Sequence, residues 1–396
     1  MRGLRADRPL GLAPATVSDY RELARRRLPR QLFDYIDGGA NSETTMAANV
    51  ASFEAIGLRQ RVLRDVSHCD LSVDVLGQHL ELPVILAPVG LGGMYAKRAE
   101  VQAARAAEAA GTVFVESTVS VCGLEEVRDA TERPIWFQLY VMRDRRYAEG
   151  LMARATACET PVLILTVDLP VVGARYRDLQ NGLVGELEPL AKIRRGIDLA
   201  SHPQWLRNVA IGGKPHTFGN LEDAVPGART PAQFRNWVDT QFDPSVTWDD
   251  LAWVREHWNA KLVLKGILDP DDARIAIDHG VDGIVVSNHG GRQLDGVPAT
   301  VDVLASIVAA VDGRADVLVD GGIRNGLDVA KAIALGAKAV MVGRPWAWAV
   351  AAKGQRGVEH VLATMRADLT VALGLTGVNA VADLDPTCLI PPGGHP

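Results

Sequence analysis

Four side chains in this sequence have the types and spacing for acid–base work on a small anion. His289 sits in SNHGGRQLDG, with glycines at 290 and 291 and Arg292 three residues on. Histidine titrates near neutral pH and is the usual general base. A guanidinium so close by can grip a carboxylate through two parallel hydrogen bonds. Asp168 ends the apolar run VLILTVD and is placed to hold the imidazole and stabilise its protonated form, as in a triad. A lone histidine is more often a satisfied core residue, and here Arg292 and the strand-end position favour the base. Lys265, in KLVLKGIL, can stabilise an anion at a strand end, although such a lysine is also a common surface residue.

Glycines carry a second chemistry. Asp320-Gly321-Gly322-Ile323-Arg324 and Gly343-Arg344 each follow a short apolar run. Glycine has no Cβ, so backbone N–H groups there can approach an anion closely. Arg324 and Arg344 add guanidinium groups suited to phosphate. Gly-Gly turns are common after strands, but two with arginines at neighbouring positions point to a phosphate site. Gly90-Leu91-Gly92-Gly93 does not have the dinucleotide spacing G-x-G-x-x-G. A mononucleotide with one phosphate suits the pattern, and Lys265 can then face the pyrimidine edge of a flavin.

These groups need a frame that brings them to one place. Eight near-continuous apolar runs read as strands buried on both faces. They are Leu82–Gly90, Thr112–Thr118, Ile135–Val141, Val162–Asp168, Lys261–Leu268, Gly283–Gly290, Asp316–Ile323 and Ala339–Arg344. Helical patterns lie between most of them. Ala99–Ala110 is followed by Gly111; Pro270–Asp278 follows Asp269, an N-cap candidate; Gly326–Leu335 stops before Gly336. The expected fold is α/β, a (β/α)8 TIM barrel, with a doubly wound open sheet as the alternative. In a barrel the C-terminal strand ends form the active rim. That rim collects Pro88-Val89-Gly90, Ser117, Gln138 with Tyr140, Thr166 with Asp168, Lys265, Ser287 through Arg292, Asp320 through Arg324, and Gly343-Arg344.

The expected organisation has a helical N-terminal extension over residues 1–75, a barrel over 76–380 and a C-terminal arm over 381–396. A long insertion after the fourth strand, 177–250, carries Trp205, Trp237 and Trp248. Its stretch with Lys192, Arg194 and Arg195 near Ile193 and Ile197 suits a peripheral membrane contact or a solvated basic helix equally. Forty-two Lys+Arg against 48 Asp+Glu leave a net charge of −6, which disfavours a general nucleic-acid binder. There is no apolar run of the length that spans a bilayer, and the N-terminus does not read as a signal peptide. Cys69, Cys122, Cys158 and Cys388 form no C-x-x-C pair, so neither a disulfide framework nor zinc is expected, and a reducing cytosol is.

The chain resembles the FMN-dependent L-2-hydroxy-acid dehydrogenases and oxidases. The motifs that carry the likeness run in order: FDYIDGGA, LAPVGLGGMYA, STVSV, WFQLYVMRDR, LTVDLPVVGARYRD, FDPSVTWDDLAWVREHW with KGILDPDDAR, SNHGGRQLDG, and VDGGIRNGLDVAKAIALGAKAVMVGR. They cover roughly residues 16 to 380. LAPVGLGGMYA, GARYRD and SHPQW are similar to the bacterial respiratory L-lactate dehydrogenases within that family. The resemblance implies FMN as cofactor and oxidation of an L-2-hydroxy acid, L-lactate to pyruvate, with electrons passed to a quinone or another respiratory acceptor. It also implies an L-mandelate-type dehydrogenase or an oxygen-using oxidase as alternatives; a non-catalytic flavin-binding protein lies outside the family. It makes His289 the base, paired with Asp168. Arg175 and Arg292, helped by Tyr35, hold the substrate carboxylate, and Tyr140 lies near the substrate oxygen. Pro88, Val89 and Gly90 lie against the flavin. Ser117, Gln138, Thr166, Lys265 and Ser287 line its ring. Asp320, Gly321, Gly322, Arg324, Gly343 and Arg344 hold ribityl and phosphate. Gly90, where many oxidases carry alanine, points to poor reaction with oxygen. A homo-oligomer, a tetramer, is implied, either peripheral on the cytoplasmic side of the inner membrane or in the cytoplasm.

Overall fold

A computed structural model describes residues 13–183, 188–214, 216–222 and 240–393. Eight parallel strands form one sheet: β1 (Val84–Leu86), β2 (Val115–Ser117), β3 (Trp136–Tyr140), β4 (Val162–Thr166), β5 (Lys261–Ile267), β6 (Gly283–Val286), β7 (Asp316–Val319) and β8 (Ala339–Val342). Each pairs with its sequence neighbour and β8 returns to β1. A bridge between Leu86 and Phe114, with Leu86 N donating to Val113 O at 3.0 Å, closes the ring. All eight expected strands are present, β1 to β3 shorter at both ends and β4 to β8 shorter only at the C-terminal end, and the barrel displaces the open-sheet alternative.

Alternation along the strands sorts the core into two layers. Ile85, Val115, Trp136, Ile164, Val263, Val285, Leu318 and Met341 point inward and pack on one another. A hairpin, Val73–Val75 with Gln78–Leu80, adds Val75, Leu76 and Leu80 to that inner cluster. Its Leu76 N–H donates to Asp316 Oδ2 at 2.6 Å, at the start of β7, so the hairpin seals the N-terminal end of the barrel. Alternate residues such as Leu86, Phe114, Phe137 and Leu163 face the helices.

Three helices precede the barrel: α1 (Val17–Arg27), α2 (Arg30–Asp37) and α3 (Thr44–Ala55). Beyond Ala55 the N-terminal extension is not helical, and Gly57-Leu58 pairs with Leu389-Ile390 of the C-terminal arm. Between β1 and β4 run α4 (Ala99–Ala109), α5 (Leu124–Arg128) and α6 (Arg145–Ala157). After β4 come α7 (Tyr176–Gln180), α8 (Pro189–Ala200), a turn at Pro203–Trp205 and a π-helical stretch, Leu206–Ile211. The barrel resumes with α9 (Asp250–His257), so the insertion ends where its layer helix begins. Trp237 lies outside the described residues. The remaining helices are α10 (Pro270–Asp278), α11 (Thr300–Val311), α12 (Gly326–Ala334), α13 (Arg344–Lys353) and α14 (Gln355–Thr376). Asp269 caps α10 by accepting from Asp271 N at 2.8 Å, and Asn325 caps α12 through Asp328 N at 3.0 Å.

Candidate active site

The C-terminal strand ends open into a cavity. Tyr35, Pro88, Val89, Gly90, Tyr140, Thr166, Arg175, Lys265, His289, Arg292, Asp320, Gly321, Gly322, Arg324, Gly343 and Arg344 all line it. Ser117, Gln138 and Ser287 stand one layer behind the wall and orient it. Ser117 Oγ donates to Gln138 Oε1 at 3.2 Å, and Gln138 Nε2 donates to Thr166 Oγ1 at 3.0 Å. Ser287 Oγ accepts from Lys265 Nζ at 2.8 Å and from His289 N at 3.0 Å.

His289 has a positive φ of 57°, and Gly290 and Gly291 follow at 64° and 74°. A left-handed non-glycine residue costs roughly 1–3 kcal/mol and persists only where its surroundings hold it. Here the holding groups are the Ser287 hydroxyl and Asp168, whose Oδ1 lies 3.0 Å from His289 Nδ1. A proton on Nδ1 directed at the carboxylate leaves the Nε2 lone pair available. Burial pushes the imidazole below its ordinary value; the Asp168 charge offsets only part of this, so the ring is neutral and basic near pH 7. Burial alone raises the Asp168 carboxyl, but the His289 charge and hydrogen bond outweigh it and hold the group below the usual carboxylate range. Gln293 Nε2 fixes the same loop by donating to Asp168 O and Val171 O, each at 2.9 Å.

The two arginines converge on one ring. Arg292 lies 4.9 Å and Arg175 5.9 Å from the Tyr35 centroid. Arg292 Nη1 also donates to the carbonyls of Tyr35 and Gly38, at 2.6 and 2.7 Å. Tyr140 stands edge to face against Phe242, and burial, then the Asp168 charge, raise its phenol well above the ordinary value. The phenol is therefore a hydrogen-bond donor at neutral pH.

The other half of the cavity fits a phosphorylated flavin. Burial lowers Lys265, but Asp320, 2.9 Å away, and Asp168 more than restore it, so the ammonium stays charged. Asp320 Oδ1 is buried without a hydrogen-bond partner and fits a hydroxyl donor such as ribityl supplies. Arg324 is pushed down to about 10 by burial, and Arg344 to about 9 by burial and then by Arg292 and Arg324. Arg344, at the N-terminus of α13, and Arg324 together give this part of the cavity two guanidinium groups suited to an anion. Arg344 spends three of its nitrogens on the carbonyls of Ile36, Gly290 and Gly38, at 3.1, 2.8 and 2.8 Å. Its side chain thus straps α2 to the His289 turn.

Other residues contribute to the site from outside the expected set. Tyr95 lines the cavity and donates from its hydroxyl to Gly90 O at 2.7 Å. Asn49, on α3, exchanges two hydrogen bonds of 2.8 Å with the buried Asn288 beside the base. Asp37 binds Arg21 and Arg177, which also pairs with Glu43, locking α7 onto the N-terminal helices. Asn288, Tyr95 and Asp37 sit inside quoted motifs, whereas Asn49 acts across the chain and shows only in three dimensions.

A family profile described as FMN-dependent dehydrogenase matches residues 24–391. The chain belongs to this family. FMN is accordingly its cofactor, and the cationic, glycine-lined half of the cavity is where the group fits. The L-lactate dehydrogenase of Caulobacter vibrioides (strain NA1000 / CB15N) is 52% identical over 375 residues, covering 95% of this chain and 97% of that protein. That of Haemophilus influenzae (strain ATCC 51907 / DSM 11121 / KW20 / Rd) is 48% identical, with 95% and 98% covered. Among solved structures, a monotopic membrane protein, (S)-mandelate dehydrogenase, superposes with a TM-score of 0.88 at 35% identity, covering 95% of this chain and 99% of that one. A mandelate oxidase gives 0.79 at 37% identity, with 93% and 96% covered.

Proposed function

We propose that this family member oxidises L-lactate to pyruvate and passes the electrons to a quinone. The observation that carries the reading is that His289, backed by Asp168, lines the same cavity as Arg175 and Arg292, which both lie against Tyr35. The arginines bind the substrate carboxylate and fix which way its Cα–H points. Tyr140 donates to the substrate oxygen. His289 Nε2 takes the hydroxyl proton, and Asp168 stabilises the imidazolium that results. FMN, when bound, accepts the two electrons of the Cα–H bond. Identity supports lactate over mandelate, at 52% against 35%.

The assignment of individual residues is part of the proposal, as are the boundaries 1–75, 76–380 and 381–396. So is peripheral membrane contact on the cytoplasmic side. No described helix is long and apolar enough to cross a membrane. On α8, however, Leu190, Ile193 and Ile197 are 61%, 60% and 65% exposed. Their i, i+3, i+7 spacing makes one apolar stripe, with Lys192, Arg194 and Arg195 beside it, the composition of an interfacial helix. Homo-oligomerisation, as a tetramer, would cover a different patch: Val371 and Leu375 of α14 with Val62 and Leu63, whose segments meet where Arg61 N donates to Leu375 O at 2.9 Å.

The test is anaerobic bleaching of the holoenzyme by L-lactate, glycolate and L-mandelate, with the chromophore then released by heat and identified. L-lactate should bleach fastest and the chromophore should be FMN. Preference for L-mandelate would replace the substrate, and no bleaching by any of the three would remove the enzymatic reading.

A further inference from the structure

Oxidising a 2-hydroxy acid leaves two electrons and two protons that a second reactant must remove. Beside Arg175 runs a groove of about 890 Å³. Pro170, Val171, Val172, Leu179, Phe242 and Pro244 form most of its walls, Arg143 and Asp178 add charge at their edge, and Arg175 lines both the groove and the catalytic cavity. Phe242 meets Tyr140 edge to face, ring centroids 5.3 Å apart at 85°, so one aromatic pair stands between the two spaces. Val171 is 66% and Leu179 54% exposed. Adjacent exposed apolar side chains at a cavity mouth mark a binding surface more than a solvated one. Three residues beyond Leu179, the Gly182 carbonyl accepts from Arg195 of α8 at 3.4 Å. The groove is therefore tied to the helix whose apolar stripe suits a lipid surface.

We propose that this groove docks the electron acceptor, a quinone drawn from lipid, with its ring against Phe242 and a carbonyl at the mouth beside Arg175. The inference rests on the dehydrogenase reading above and adds the place where its second substrate binds. The groove's apolar walls and aromatic face suit a flat, apolar ring, and the Arg175 guanidinium beside it suits a carbonyl oxygen. In the net exchange the hydroxy acid loses its Cα–H and O–H bonds and gains a C=O bond. The quinone takes up the same two electrons and two protons and leaves as the quinol with two new O–H bonds.

The experiment uses holoenzyme carrying Val171→Glu or Leu179→Glu, with Val171→Leu as the conservative control and rates read per bound FMN. Each is reduced anaerobically by L-lactate and then mixed with a short-chain ubiquinone or with ferricyanide. A carboxylate in an apolar docking groove should cut reoxidation by ubiquinone at least about tenfold in both Glu variants. Bleaching by L-lactate and reoxidation by ferricyanide should stay within about twofold of wild type, because neither residue lines the catalytic cavity. Val171→Leu should behave as wild type. Reoxidation of both Glu variants by ubiquinone at wild-type rates overturns the proposal, as does a wild-type protein that ferricyanide reoxidises and ubiquinone does not. If L-lactate fails to bleach the wild type, the substrate reading falls; dithionite-reduced protein then makes the same quinone comparison and still decides the groove.

Discussion

The imidazole of His289 works as a base only while neutral, and two opposing influences set where that ends. Burial lowers its pKa from the ordinary 6.5 and the Asp168 carboxylate raises it, with burial the larger. The acid limb of kcat/KM for L-lactate, which reports the free enzyme, should therefore have its midpoint below 6.5. Asp168→Asn removes the influence that raises the pKa, so the limb should move further toward acid. The rate on its plateau should also fall, on the order of 10²-fold or more, because the imidazolium loses its counter-charge. A limb centred above 6.5 would contradict the burial seen here. His289→Gln should keep its FMN and lose turnover by ~10²–10⁴-fold; retention of a third of wild-type kcat would dismiss the base. Arg292→Lys keeps the charge and loses the planar fork. Charge-assisted hydrogen bonds are worth about 1.5–3 kcal/mol, so stopped-flow reduction should show a weaker lactate dissociation constant by roughly ten- to a hundredfold, with a lower limiting rate. Wild-type values for both would take Arg292 out of the site.

At the scale of elements, α8 is the segment whose removal from function can be tested without touching chemistry. None of its residues is buried, so Ile193→Glu with Ile197→Glu should leave folding and bleaching by L-lactate intact. Sedimentation with anionic vesicles at low salt should drop from mostly bound to mostly free, since charge attraction alone is screened and weak. Equal sedimentation of variant and wild type would assign the membrane contact elsewhere. Elements also explain what could be read from one dimension. The strands show because a segment buried on both faces must be apolar throughout, and the rim shows because polar groups interrupt that pattern at one end. His289, Arg292 and the Gly321-Gly322 turn are legible for that reason: each owes its position to its own strand. Asn49 is not, because its partner Asn288 lies across the molecule. The same holds for the strap from Arg344 to the carbonyls of Ile36 and Gly38, since backbone carbonyls carry no residue signature. The π-helical stretch Leu206–Ile211 likewise has no periodic pattern by which to anticipate it.

The molecule as a whole gathers Arg292, Arg324 and Arg344 around one cavity, at an electrostatic cost seen in Arg344, which burial and then the charges of the other two depress. Binding an anionic cofactor offsets that repulsion. Stripping FMN should therefore lower Tm, and restoring it to a hundredfold excess over Kd should return about 2.7 kcal/mol, a shift of a few degrees. Inorganic phosphate alone should recover part of the shift, and Arg324→Ala should blunt it. Thermal melts of apoprotein and holoprotein that coincide would refute this. The hairpin at Val73–Leu80 has a consequence of another kind. It corks the far end of the barrel with Val75, Leu76 and Leu80, so lactate in the cavity and the acceptor in the groove beside Arg175 both approach from the opposite rim. One bound FMN would serve both sites, reduced at one before it is reoxidised from the other, so the two reactants take turns. Initial velocities against lactate at several fixed acceptor concentrations should then give parallel double-reciprocal lines rather than converging ones, a kinetic signature set by a plug on the side of the barrel where no chemistry happens.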